Sequence, residues 1–200
     1  MLQLPTNCTK LNFLFLHLIL QFMSTVTVHN KNFEIFIEEA KIQKVIANMA
    51  AKMNEDFKDK KPLFLAVLNG SFMFAADLFK HLTIDCEISF VKLSSYHGTQ
   101  TTEKVTELIG INENLKGRTI VVLEDIVDTG ITINAMMAQL MQQEPAEIKI
   151  ATLLFKPAAY IQRVHLDYVG MEVAKVFLLG YGLDYDGLGR NLRDIYKIVE

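Results

Sequence analysis

Apolar positions gather into short runs separated by segments with helical spacing. Phe64–Leu68, Cys86–Leu93, Thr119–Leu123, Ile148–Phe155 and Val173–Leu179 are each apolar enough to read as buried strands. Between them, Ser71–Leu82 and Ile131–Gln143 carry apolar residues at helical intervals, and Glu144-Pro145 stops the second of these. Phe33–Lys52 also reads as helical, with a convincing period only from Ile37 onward. Lys58–Pro62 is a charged turn. Ser94–Thr106 is polar, with almost nothing to bury, and predicts a mobile surface loop. Strands alternating with helices imply an α/β fold with a mainly parallel twisted sheet flanked by helices. Such sheets bind ligands at the carboxyl ends of their strands, so the residues just after each apolar run are the place to look for chemistry.

Composition narrows the field. Half of the 200 residues are apolar and 22% are charged, enough for a substantial core and too apolar for general disorder. Twenty basic and twenty-three acidic residues leave a net charge of −3, with no overall attraction to nucleic acid or anionic membranes. Cys8 and Cys86 form no C-x-x-C motif, which argues against a disulfide scaffold and a cysteine zinc site and fits a reducing, cytoplasmic setting. The five histidines show no metal-ligand spacing.

The first 22 residues stand apart. Lys10 is their one charge, and Leu11–Phe22 resembles the apolar core of a secretory signal or a short anchor. A membrane-spanning helix needs roughly 20 apolar residues, more than this run supplies. No convincing cleavage pattern follows it, and Met23 is the expected true start. A signal or an anchor is the alternative, and only an anchor would imply a membrane.

Candidate chemistry concentrates in Val121–Thr132, VVLEDIVDTGIT. Asp128-Thr129-Gly130-Ile131-Thr132 lies where a strand turns into a helix. Its amides, the helix N-terminus and two threonine hydroxyls would suit a phosphate. Glu124 and Asp125 would repel one, and make sense facing hydroxyl groups, a cation or charge developing in a reaction. Asp-Thr-Gly also occurs in aspartic proteases, but those are all-β and need two copies. A turn without a ligand would leave three carboxylates at a strand end without purpose.

This pattern resembles the phosphoribosyl-diphosphate (PRPP) motif of type I phosphoribosyltransferases, and more narrowly their hypoxanthine/guanine branch. The likeness runs over roughly Val26 to Val199. It implies a single domain over 24–200, with a small hood built mainly from 24–37 and 173–200. It implies that Glu124 and Asp125 hold the ribose hydroxyls, that Asp128 is the general base near purine N7, and that Thr129, Gly130, Ile131 and Thr132 bind the 5′-phosphate. Asn69 and Gly70 match the pyrophosphate loop, in which the bond matching Leu68–Asn69 is typically a cis peptide, and Arg190 matches a further pyrophosphate contact. Ser95 and Tyr96 match the pair that opens the mobile loop. Lys156 would read the purine's exocyclic oxygen and N7, Phe177 would stack on the base, Leu178 would meet its edge, and backbone carbonyls around Leu178 and Asp184 would accept guanine's 2-amino group. Glu124, Asp125 and Asp184 would hold Mg²⁺. Asn69, Ile131 and Val176 stand where relatives often carry lysine.

The activity so implied is transfer of phosphoribose from PRPP to hypoxanthine or guanine, a purine-salvage reaction on small-molecule substrates by a homodimer or homotetramer. A xanthine-preferring enzyme and a PRPP-binding regulator acting on RNA or DNA are the alternatives. The second needs a basic face that the charge balance does not suggest.

Overall fold

The protein is described from a computed structural model over residues 25–95 and 105–199, with the backbone alone at 93–95 and 105–109. Residues 1–22, and with them the extension discussed above, lie outside the described residues.

Six strands form the main sheet: β3 (Leu63–Leu68), β4 (Glu87–Ser95), β5 (Val105–Ile109), β6 (Thr119–Val127), β7 (Glu147–Phe155) and β8 (Tyr168–Glu172). Their order is β5-β4-β3-β6-β7-β8, and only the β4–β5 pair is antiparallel. Helix α1 (Glu39–Asp56) and helix α2 (Phe72–His81) cover one face, and α3 (Ile131–Met141) covers the other. Successive strand residues serve the two faces in turn. Phe64, Ala66, Val121 and Leu123 join the core with α1 and α2, while Leu63, Leu65, Ile120 and Val122 pack with α3. That double burial is why the strands read as unbroken apolar runs rather than as alternating patterns.

A second sheet is antiparallel, in the order β1 (Thr25–Val28), β2 (Lys31–Ile37), β10 (Ile195–Ile198), β9 (Leu178–Leu179). It draws on both ends of the described chain around Phe33, Leu179 and Tyr196. The C-terminal segment also caps α1, because the Glu39 amide donates to Asp194 Oδ1 at 2.7 Å.

Several expectations need correction. Phe33–Ile37 is strand, and the helix starts at Glu39; Phe33 and Ile37 are buried two-residue-period positions of a sheet. The last predicted strand shrinks from Val173–Leu179 to Leu178–Leu179, and the main-sheet strand lies earlier, at Tyr168–Glu172. The polar stretch from Ser94 is strand at both ends: Ser95 pairs with Val105 and Ser94 with Thr106, since ladder bonds join backbones and do not require apolar side chains. β6 does not end at Leu123 but continues through Glu124 and Asp125 to Val127.

Candidate active site

The strand order reverses between β3 and β6. From β3 the chain passes through α2 to β4 on one side, and from β6 through α3 to β7 on the other. At this switch point, on the carboxyl ends of the two strands, lies a cleft of about 270 Å³. Its walls are Val67 and Leu68 at the end of β3, Gly70 just after it, and Glu124 to Gly130, Thr132 and Ile133 from β6, the following turn and α3.

Glu124 and Asp125 sit where β6 changes face. Val121 and Leu123 point into the α1/α2 core, and so does Ile126, so the alternation slips across the two carboxylates. Glu124 is buried, and no cation approaches it within ion-pair distance among the described residues. Burial, with the Asp125 charge beside it, pushes its carboxyl well above the usual range. Asp125 is half-buried and accepts from the Ile126 amide at 2.9 Å. Burial raises it to about 6 and nearby Asp184 adds to the rise, while the amide bonds and Arg190 pull it down. Gly70 lies against this carboxylate so closely that a Cβ there would stand 1.7 Å from Asp125 Oδ2. Only a residue without a side chain fits.

The Asp128 turn follows. Gly130 caps α3 with φ 81°, in the left-handed region, and a Cβ would stand 2.3 Å from the Tyr160 ring. Thr129 and Thr132 are exposed, and the Ile131 amide points back to Thr129 Oγ1 at 3.4 Å. Asp128 Oδ2 accepts from Lys156 Nζ at 2.9 Å. Lys156 is buried at the end of β7, where its amide bonds the Val127 carbonyl at 2.9 Å. A fixed cation and a half-exposed carboxylate thus face the same opening.

The Leu68–Asn69 peptide is cis. Asn69 itself is exposed and, like Ile131, is not part of the cleft wall. Above the cleft, Arg190 Nη2 pairs with Asp184 Oδ1 at 2.6 Å, and Asp184 Oδ2 accepts from the Gly187 amide at 2.7 Å. Phe177 is 45% exposed, and Tyr185 meets its ring edge-on at 5.7 Å. Leu178 is buried in β9 opposite Lys197. Ser95 ends β4, and Tyr96 lies outside the described residues.

Residues 36–186 match the phosphoribosyl transferase domain family. The chain belongs to this family. It is 36% identical over 160 residues to the hypoxanthine-guanine phosphoribosyltransferase of Bacillus subtilis, covering 80% of this chain and 89% of that one. It is 38% identical over 154 residues to the hypoxanthine-guanine-xanthine phosphoribosyltransferase of Tritrichomonas foetus, covering 76% and 83%. Among solved structures, a hypoxanthine-guanine phosphoribosyltransferase from Bacillus anthracis superposes with a TM-score of 0.79 at 36% identity, over 83% of this chain and 98% of that one. The hypoxanthine phosphoribosyltransferase of Trypanosoma cruzi, in complex with the product IMP, gives 0.78 at 32%, over 82% and 93%. Within the phosphoribosyltransferases the chain falls in the hypoxanthine-guanine branch.

Among the described residues no three His, Cys, Asp or Glu side chains converge on one point. The expected trio of Glu124, Asp125 and Asp184 is therefore not a ready-made cage, because Asp184 is turned toward Arg190 and the Gly187 amide. The donors are nonetheless hard carboxylate oxygens, and magnesium needs only one or two of these when substrate phosphates supply the rest. Among the described residues no helix is long and apolar enough to cross a membrane. Sequence reasoning missed three tyrosines at this end of the fold: Tyr160 under Gly130, Tyr185 against Phe177, and Tyr181, buried below the Asp184 turn. Only Tyr181 left a signal, as a bulky residue between two glycines.

Proposed function

We propose that the protein is a purine-salvage phosphoribosyltransferase that converts hypoxanthine or guanine and PRPP to IMP or GMP and pyrophosphate. The observation that carries this reading is the Asp128–Lys156 pair beside the buried Glu124 and half-buried Asp125, at the switch point of a phosphoribosyltransferase sheet.

Purine N9 forms its bond to C1′ as the bond from C1′ to the pyrophosphate oxygen breaks. Positive charge builds on the ribose, and Glu124 and Asp125, facing the 2′- and 3′-hydroxyls, stabilise that charge more than the ground state. Asp128 shares or accepts the proton of N7, and Lys156, already held within reach, turns to the 6-oxo group of the base. Thr129 to Thr132 receive the 5′-phosphate, while Asn69, Gly70 and Arg190 receive the pyrophosphate. Phe177 stacks on the base and Leu178 reads its edge. Ser95 and Tyr96 open the loop that excludes water. Asp184, with Glu124 or Asp125, would hold magnesium, whose charge would stabilise the pyrophosphate as it leaves. The working unit is a homodimer or homotetramer in the cytoplasm, acting on small molecules and not on nucleic acid.

Xanthine is a second substrate to test, because the Tritrichomonas foetus relative is named for it. Absorbance-monitored turnover with PRPP and Mg²⁺, offering hypoxanthine, guanine, xanthine and adenine separately, tests the whole reading. Conversion of a 6-oxopurine supports it, and no turnover with any base while PRPP still binds sinks it in favour of a regulator.

A further inference from the structure

The segment from Gly180 to Leu192, which carries Asp184 and Arg190, buries Tyr181 in the core and packs Leu183 against it. Tyr181 is 2% exposed and belongs to the cluster shared with α1 and α2. Its hydroxyl donates to Asp77 Oδ2 at 2.5 Å. Gln43 Nε2 donates to the same carboxylate oxygen at 2.6 Å, and Lys80 Nζ bonds the other at 2.6 Å. Burial presses the Asp77 carboxyl up, but bonds from Lys80, Tyr181 and Gln43 outweigh it and hold the group below its ordinary value. Asp77 is thus a charged acceptor fixed by two helices.

The backbone around Tyr181 is costly to form. Tyr181 has φ 50° between Gly180 at 95° and Gly182 at 97°. A side chain in the left-handed region persists only where its surroundings hold it there. The neighbouring glycines are wedged. A Cβ on Gly182 would stand 2.0 Å from the Gly70 carbonyl oxygen, and one on Gly180 would stand 2.2 Å from that of Asp194. The Gly182 carbonyl in turn accepts from Arg190 Nη1 at 2.6 Å, and Arg190 pairs with Asp184.

We propose that Tyr181, anchored on Asp77, is a positioning residue that sets the spacing between the Asp184–Arg190 pair and the Leu68–Gly70 loop. It touches no substrate and acts through the backbone of Gly182. The inference rests on the reading above, in which both of those parts meet the pyrophosphate end of PRPP.

Tyr181→Phe keeps the ring and removes only the hydroxyl. Misplacement of positioned groups by an ångström can cost up to 10²-fold, so KM for PRPP is expected to rise about tenfold or more in this variant. KM for hypoxanthine is expected to stay within about twofold, because Phe177 and Lys156 do not hang on this contact. Asp77→Leu should reproduce the split, and Asp77→Asn, which keeps an acceptor, should recover most of the normal PRPP KM. Melting temperatures are recorded beside the kinetics. Lower melting temperatures with an unchanged ratio of the two KM values would make Tyr181 merely structural and overturn the inference. A wild type that turns over no purine overturns the phosphoribosyltransferase reading and this inference with it. An active wild type beside a kinetically silent Tyr181→Phe overturns the inference alone.

Discussion

At the amino ends of β7 and β8 a groove of about 430 Å³ is lined by Lys52, Asp56, Lys60, Glu147, Lys149 and Asp167, larger and more densely charged than the cleft at the opposite end of the sheet. Its acids are all matched. Glu147 meets Lys60 and the Thr119 hydroxyl, Asp167 takes Lys149 at 2.9 Å and the Ile150 amide at 2.9 Å, and Asp56 accepts from the Tyr168 hydroxyl at 2.7 Å. The electrostatic consequences run in opposite directions. At the groove, Lys60 holds Glu147 below its ordinary value and Asp167 holds Lys149 above its own, each favouring the charged form. At the cleft, burial drives Glu124 and Asp125 up, against the charged form. Cavity size therefore does not mark the chemistry. What separates the two ends is the Glu124–Asp125 pair beside Asp128: burial opposes their charged form, and among the described residues neither carboxylate has a cation within ion-pair distance.

The sharpest way to break this contrast is Asp128→Asn. General acid–base groups contribute typically 10²–10⁴-fold, so kcat with hypoxanthine should fall by about that factor. Lys156 keeps a hydrogen-bond acceptor in the variant, so thermal stability should change little. Unchanged turnover would remove Asp128 from the chemistry and leave its pairing with Lys156 equivalent to those in the groove.

Asp125→Asn tests the cleft through stability. Asp125 is protonated more readily in the folded protein, at about 6, than in the unfolded chain, near 3.8. The stability tied to its protonated form is present below about pH 4 and disappears as pH rises through 6. Without ligand, the asparagine variant should therefore be more stable than wild type at pH 8, by roughly 1–3 kcal/mol once partial exposure is allowed for. The gain should vanish by pH 4, while turnover falls at every pH. Urea unfolding at the two pH values measures it. A variant equally stable or less stable at pH 8 would show that Asp125 carries no penalty and that the cleft is as well matched as the groove.

The sequence exposed the cleft more fully than its surroundings for a physical reason. Val121–Gly130 combines a doubly buried strand, a run of carboxylates and a glycine at a left-handed position, and each is a local constraint. Periodicity left the antiparallel sheet unread, although the resemblance pointed to a hood on 24–37 and 173–200, because β2 and β10 come from opposite ends of the described chain and neither alone buries enough to announce itself. β8 is a sheet edge with one buried residue, Tyr168, so its pattern is weak. Glu124 and Asp125 read as following a strand because carboxylates rarely sit inside a buried one. Within β6, Asp125 lies against Gly70, a contact between segments far apart in the chain. The partners of the groove were invisible for the same reason, since Lys60 and Glu147 meet only after folding.

The smallest expected effect belongs to the groove and completes the contrast. Lys149→Met removes one cation from Asp167, whose side chain is 15% exposed and keeps its bond from the Ile150 amide. The lysine is 36% exposed, so solvent already screens much of the pair, and its loss should cost about 1 kcal/mol or less. Because the groove lies at the far end of β7 from Lys156, kcat and both KM values should match wild type. The Asp125 and Lys149 variants should thus move stability in opposite senses at pH 8, with activity lost only at the cleft. A Lys149→Met protein with altered PRPP or purine KM would mean that the two ends of the sheet communicate, and that pairing in the groove serves the reaction as well as the fold.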